Sequence, residues 1–397
     1  MTNSDPAYFH RIYGSKKPRA VYYKRDFIDY VLMLSACGVV IRISYGPANV
    51  LSVGGIVLCV TTLAMFVHRH GIELSFPVLL RRPQDLLFVF LYKIRNLRGP
   101  YFAGLALLVA ENALIGATPG LPHYSALMRS LALYLFYGHF AAITAMRTVI
   151  LVEHLRKRNL VHEILMQTPW QRVVRHSSIK LEIIHAYCTG LLTHIVLLGP
   201  WYLVLTHVHF SLVLLPLMCA ANVYVYWRWL RTINSWFYRD HWLGHNSELD
   251  FVYLHGPHHD AIPCGLIGGA ENGFLEGFLR FTLGSPSPFF NPLFSFLVYT
   301  LEMKQNIEAH QYIPGLYPKL SKELMEISQH STHHYGPIEP YGFCIKVDQP
   351  GGKYKDWFRQ LPDELRNSAK LDEELTDFVW DNPIHRLTLR LYERYQR

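Results

Sequence analysis

Six apolar runs, each close to the length that crosses a bilayer, constrain this chain more than any other feature. Backbone N–H and C=O groups find no water inside hydrocarbon. Such runs therefore fold as helices that satisfy their own hydrogen bonds, each needing roughly 20 residues. They cover about residues 27–47, 49–68, 100–117, 129–152, 183–206 and 208–230, and they pair into three hairpins. The turns fall at Tyr45-Gly46-Pro47-Ala48-Asn49, at Thr118-Pro119-Gly120-Leu121 and around 206–209. The expected fold is all-α: a polytopic membrane protein with about six transmembrane helices in three hairpins and a cytoplasmic helical cap. Half of the 397 residues are hydrophobic and only 17% are charged, which suits that class and not a set of soluble domains.

Charge orients the helices. None of the three turns carries Lys or Arg. The other side receives the basic N-terminus, the segments 69–98 and 156–180, and everything after Arg228 and Arg231. The positive-inside rule places both termini in the cytoplasm, with no distinction between a bacterial inner membrane and the endoplasmic reticulum. Residues 1–26 are polar and basic, with Lys16, Lys17, Arg19, Lys24 and Arg25, and no cleaved signal peptide is expected. The net charge of +8 sits in short groups beside apolar runs, which fits a lipid surface and not nucleic acid. Six cysteines stand singly, as small buried hydrophobes of a reducing compartment do. Arg42, Glu111 and Arg147 fall inside expected spans, where a charge needs a partner, an interface or a wet cleft. Glu111 with Arg147 is a candidate pair, the alternative being that each lies near an interface or in a water-filled cleft.

The chain divides into the basic N-terminus (1–26), a transmembrane region with amphipathic connections (27–230), a His-rich region (231–345) and a mixed-charge C-terminal cap (346–397). In the cap, Trp357, Phe358, Leu361, Leu365, Leu375, Phe378 and Val379 recur at helical spacing. One more apolar stretch, 289–303, follows Pro286 and Pro288 and contains Pro292. Those prolines leave it too short to span, so it reads as a helix lying on the membrane or re-entering it.

Histidine placement carries the chemistry. There are 22 histidines, and three groups stand apart. His241 and His245 are spaced i, i+4. His255, His258 and His259 form a His-x-x-His-His triplet, repeated about seventy residues later as His330, His333 and His334. In a helix, positions i, i+3 and i+4 share a face, so each triplet can turn three ring nitrogens toward one point. Pro257 fits the first helical position, where a missing N–H is harmless. His310, just after the apolar stretch, is a ninth candidate. A lone His pair is more often structural than ligating, but two identical triplets and a pair leave coincidence a small share. Eight or nine imidazoles exceed what one four-coordinate zinc takes and suggest two ions of higher coordination, for which iron is suited. Asp240, Asp260, Glu271 and Glu276 are available to orient the ligand rings from behind. No Asp, Glu or Tyr has a spacing that marks it as a general acid or base. The single histidines, His68, His70, His139, His154, His162, His176, His185, His194, His207 and His209, read as structural or interfacial.

These boxes resemble the fatty acid hydroxylase and sterol desaturase superfamily of integral-membrane, non-haem di-iron proteins. Its pattern of His-x-x-x-His, His-x-x-His-His, a further His after an apolar segment and a closing His-x-x-His-His corresponds to His241/His245, His255/His258/His259, His310 and His330/His333/His334. Pro340-Tyr341-Gly342 stands where members often have Asn-Tyr-Gly, and Trp242 and Gly256 stand where many carry a basic residue. The likeness is strong over residues 230–345 and reaches the superfamily, not a substrate. It implies two iron ions (Fe2+) near the cytosolic membrane surface, O2 as co-substrate and a hydrophobic substrate entering from the lipid. It also implies an external electron donor, such as cytochrome b5 or a ferredoxin with its reductase, since the chain has no His-Pro-Gly-Gly haem signature of its own. Hydroxylation of an unactivated C–H bond is the leading expectation, and desaturation on the same centre the alternative. A His-rich metal transporter would place its ligands near the bilayer midplane, whereas these boxes lie outside the spans. A zinc hydrolase would want His-Glu-x-x-His, which is absent from the sequence.

Overall fold

The computed structural model describes residues 27–72, 74, 99–121, 125–156, 158–159, 178–246, 255, 274–278 and 285–309, with side chains excluded at 69–70, 125, 153, 231–246, 274–275 and 301–309. All regular elements among these residues are helical. They are α1 (Phe27–Tyr45), α2 (Val50–His70), α3 (Gly99–Ala117), α4 (Ser125–Arg156), α5 (Ile179–His207), α6 (Leu215–Asn246), the single turn α7 (Phe274–Gly277), a 3-10 turn (Ser287–Phe289) and α8 (Pro292–Ala309). The C-terminal cap and most of the His-rich region lie outside the described residues.

Five helices, α1 to α5, are long and apolar enough to cross a membrane. Their outward faces are aliphatic: Val39, Ile43, Val57, Val60, Val109 and Val149 are each more than half exposed, a surface that suits lipid and not water. The sixth expected span, 208–230, starts seven residues before α6 and overlaps its first half, and α6 is not one of the five. Tyr224, Tyr226, Trp227, Arg228, Trp229 and Arg231 dilute its aliphatic residues, so α6 leaves the apolar class while remaining one continuous helix.

Helix α5 is the axis of the bundle. α1, α2, α4, α7 and the 3-10 turn all pack on it, and Leu192, Val196, Leu198, Trp201 and Leu205 are fully enclosed there. Small residues set the approach. A Cβ on Gly199 would stand 2.6 Å from the Ser44 hydroxyl oxygen, so the α5 backbone packs directly against the small Ser44 side chain of α1. Gly55 plays the same part where α2 meets Ile41 and Ile195. Pro200 interrupts the hydrogen-bond ladder of α5, and in the turn before it the Tyr45 hydroxyl donates to the Ile195 carbonyl at 2.7 Å.

The first hairpin forms as expected. Gly46 takes the left-handed conformation (φ 74°) that a side chain would resist. Asn49 caps α2 by accepting from the Leu51 amide at 2.9 Å, while its Nδ2 donates to the hydroxyls of Tyr137 and Tyr202. The other two expected hairpins do not pack as pairs. α3 rests mainly on α6, and α4 on α5 and α8. The candidate Glu111–Arg147 pair does not form either. Glu111 accepts the Ser211 amide at 3.1 Å near the turn end of α3, whereas Arg147 lies about 33 Å along α4 from the start of that helix.

The stretch after Pro286 re-enters the bundle instead of lying on its surface. Residues 285–288 and 290–292 are buried. Gly104 of α3 lets Pro286 come close, Tyr101 meets the Phe289 ring edge-on, and Tyr226 of α6 contacts Phe290 and Phe294. Non-helical backbone is tolerated among apolar surroundings only where its polar groups are satisfied. The Asn291 amide donates to Asn222 Oδ1 at 2.7 Å, the Ser295 hydroxyl donates to the Ser287 and Phe290 carbonyls, and Asn291 caps α8 through the Leu293 amide. Pro292 occupies the first turn of α8. Further along α8, Tyr299 is fully buried against Trp201, with ring centroids 4.9 Å apart.

Candidate metal centre

The first box lies on the last turns of α6, whose backbone stays helical through Asn246, so the i, i+4 register of His241 and His245 holds. The same helix packs on α3 in the apolar region, and one rigid element thus links that region to the box. His255 is the residue of the second box that the structure describes in full. It is completely buried, and its Nδ1 stands 2.8 Å from Oε1 of Glu276, itself 3% exposed. His258, His259, His310, His330, His333 and His334 lie outside the described residues. His310 directly follows Ala309, the last residue of α8.

Of the four acidic residues expected behind the rings, Glu276 occupies such a place. Asp260 and Glu271 lie outside the described residues, as does the side chain of Asp240. The carboxylate is carried by the single turn α7, which packs on α5 and α1, while the adjacent Phe278 inserts into the main hydrophobic core. The His255 partner is therefore anchored to the helical bundle and not to a surface loop. Among the described residues no group of three or more His, Cys, Asp or Glu is gathered for a metal ion. The donor chemistry of His255 nonetheless fits one: with Nδ1 engaged by a carboxylate, Nε2 is the nitrogen through which the ring would hold a metal ion.

The single histidines divide into two kinds. His68, His207 and His209 are exposed. His139 and His154 on α4, and His185 and His194 on α5, are buried together with Arg147, Glu182, Thr189 and Thr193. On α4 the buried positions 139, 143, 147, 150 and 154 trace one face, and on α5 positions 182, 185, 189 and 193 do the same. These faces meet in a polar seam between two helices whose neighbours are lipid-like. Thr148 and Tyr187 share a hydrogen bond of 2.7 Å, and His139 Nδ1 lies 3.3 Å from the Thr300 hydroxyl of α8. The rings of His139 and His194 are 5.9 Å apart, and His194 stacks on Phe140. Neither ring nitrogen of His194 has a hydrogen-bond partner among the described residues. The seam escapes a reading by local spacing, because its members alternate between helices; the common phase of 139, 147 and 154 is the signal that points to it.

Arg42 resolves simply. It is exposed in the last turn of α1, where a cation is favoured by the carbonyl end of the helix. In comparisons with known proteins, no family model, curated protein or solved structure matches the chain.

Proposed function

We propose that this chain is a membrane-bound oxidoreductase that uses O2 to hydroxylate an unactivated C–H bond of a lipid-like substrate at a histidine-held di-iron centre. The observation that carries the reading is the repeated His-x-x-His-His pattern, joined to a first box at the end of a helix that comes straight out of the apolar bundle. Two iron ions, when bound, supply the activation of O2. His241, His245, His255, His258, His259, His310, His330, His333 and His334 would hold them, as neutral imidazoles with Nε2 or Nδ1 lone pairs directed inward. The residues do the remaining work by placement. α6 fixes the first pair relative to the bilayer, and α8 brings the chain back from the re-entrant segment to His310. Glu276 backs His255 from inside the protein.

A hydrophobic substrate follows from the surroundings. The helices α1 to α4 of the same bundle present aliphatic residues outward, so a lipid would reach a site at its end without crossing water. Electrons come from a separate protein on the cytoplasmic face, where the basic segments collect. Desaturation would use the same centre and differ only in how the substrate carbons are presented.

The test is oxygen consumption by anaerobically purified, iron-loaded protein supplied with a reductant and a membrane lipid extract. Uptake that depends on both lipid and reductant is the expected result, and His333→Ala should lower it at least a hundredfold. Iron-loaded protein that takes up no oxygen with any lipid fraction would refute the proposal.

A further inference from the structure

Within the reading above, we infer that Glu276 is the positioning residue of the metal centre, fixing the tautomer and orientation of His255 so that Nε2 alone faces the metal. The inference rests on the di-iron proposal, and the measurements below separate the two.

A neutral imidazole carries its proton on either nitrogen, and the partner of one nitrogen decides which. Glu276 Oε1 lies 2.8 Å from His255 Nδ1, and an ionised carboxylate only accepts hydrogen bonds. With Glu276 ionised, Nδ1 holds the proton and donates it, and Nε2 is the nitrogen that carries the lone pair. Both side chains are enclosed, at 0% and 3% exposure. Water does not replace the carboxylate at that spot, and a charge-assisted hydrogen bond gains strength there.

What makes this pair more than a local hydrogen bond is where Glu276 is rooted. The turn α7 packs on α5 and α1, which meet at Gly199 and Ser44, and Phe278 two residues on is partly buried against the main core. The direction of the His255 ring is thus referenced to the membrane bundle, as the first box is through α6 and His310 is through α8. Three separate elements rising from the bundle would set four of the proposed ligands.

Glu276→Gln is the discriminating variant, because it keeps the shape and an acceptor oxygen while removing the charge and offering an amide donor that can favour the other tautomer. Iron affinity is measured by anaerobic titration, and the Co(II)-substituted protein is compared by its visible ligand-field spectrum. The expected result is a 10- to 100-fold weaker affinity with an altered Co(II) spectrum, while the metal-free protein keeps its melting temperature. Glu276→Asp, which shortens the reach but keeps the charge, should recover part of the affinity. If Glu276→Gln binds iron as tightly as the unaltered chain with an unchanged Co(II) spectrum, Glu276 is structural only and the inference falls. If the unaltered chain itself binds no iron, the di-iron proposal falls with it.

Discussion

At the scale of single residues, two of the buried histidines stand in opposite chemical situations. His255 has a carboxylate at 2.8 Å, whereas His194 is equally enclosed and has no hydrogen-bond partner among the described residues on either nitrogen. An enclosed polar group without a partner costs about 1–3 kcal/mol, and replacing it by an apolar group of similar shape recovers much of that. His194→Phe should keep the stack on Phe140 and raise the stability of the detergent-solubilised protein by about 1 kcal/mol, read as a higher melting temperature. A lowered melting temperature would show that the ring nitrogens are bonded in the working protein. His255 and His194 are both single letters in an apolar sequence. His255 stands out in the sequence as a candidate ligand because two further histidines follow it at helical spacing, and the seam at His194 does not, because its neighbours in space come from another helix.

At the scale of elements, helix positions were legible and helix partners were not. Hydropathy locates α1 to α5 within a few residues, since exclusion of water dictates both length and composition. Packing partners depend on shape: Gly104 admits Pro286 and Gly199 admits Ser44, contacts that join α3 to the 3-10 turn and α5 to α1. The re-entrant segment shows both sides of this. Pro286, Pro288 and Pro292 signalled a broken span, but its depth is set by Asn222, which receives the Asn291 amide across 69 residues. Asn222→Leu leaves that amide buried and unsatisfied, so a loss of about 1–3 kcal/mol is expected in thermal unfolding. An unchanged melting temperature would mean that the segment is not held in the bundle through this bond.

At the scale of the whole molecule, the arrangement is a central helix α5 wrapped by apolar helices, with the candidate metal residues at the ends of elements that begin inside the bundle. α6 runs through the apolar region to His241 and His245, α7 carries the partner of His255, and α8 leads to His310. Much of the proposed centre was legible in the sequence because metal ligation needs repeated residue types at helical spacing, a pattern that survives without knowledge of the fold. The carboxylate behind His255 was one of four acidic candidates, and only tertiary contact distinguishes it. The central claim is that the nine histidines hold two iron ions, and iron quantified per chain after anaerobic purification with iron repletion tests it most directly. The account predicts about two irons in the unaltered chain and in His139→Ala, and loss of most iron in His258→Ala and His333→Ala. Retention of two irons in both box variants, or tightly bound zinc in place of iron under repletion, would contradict it.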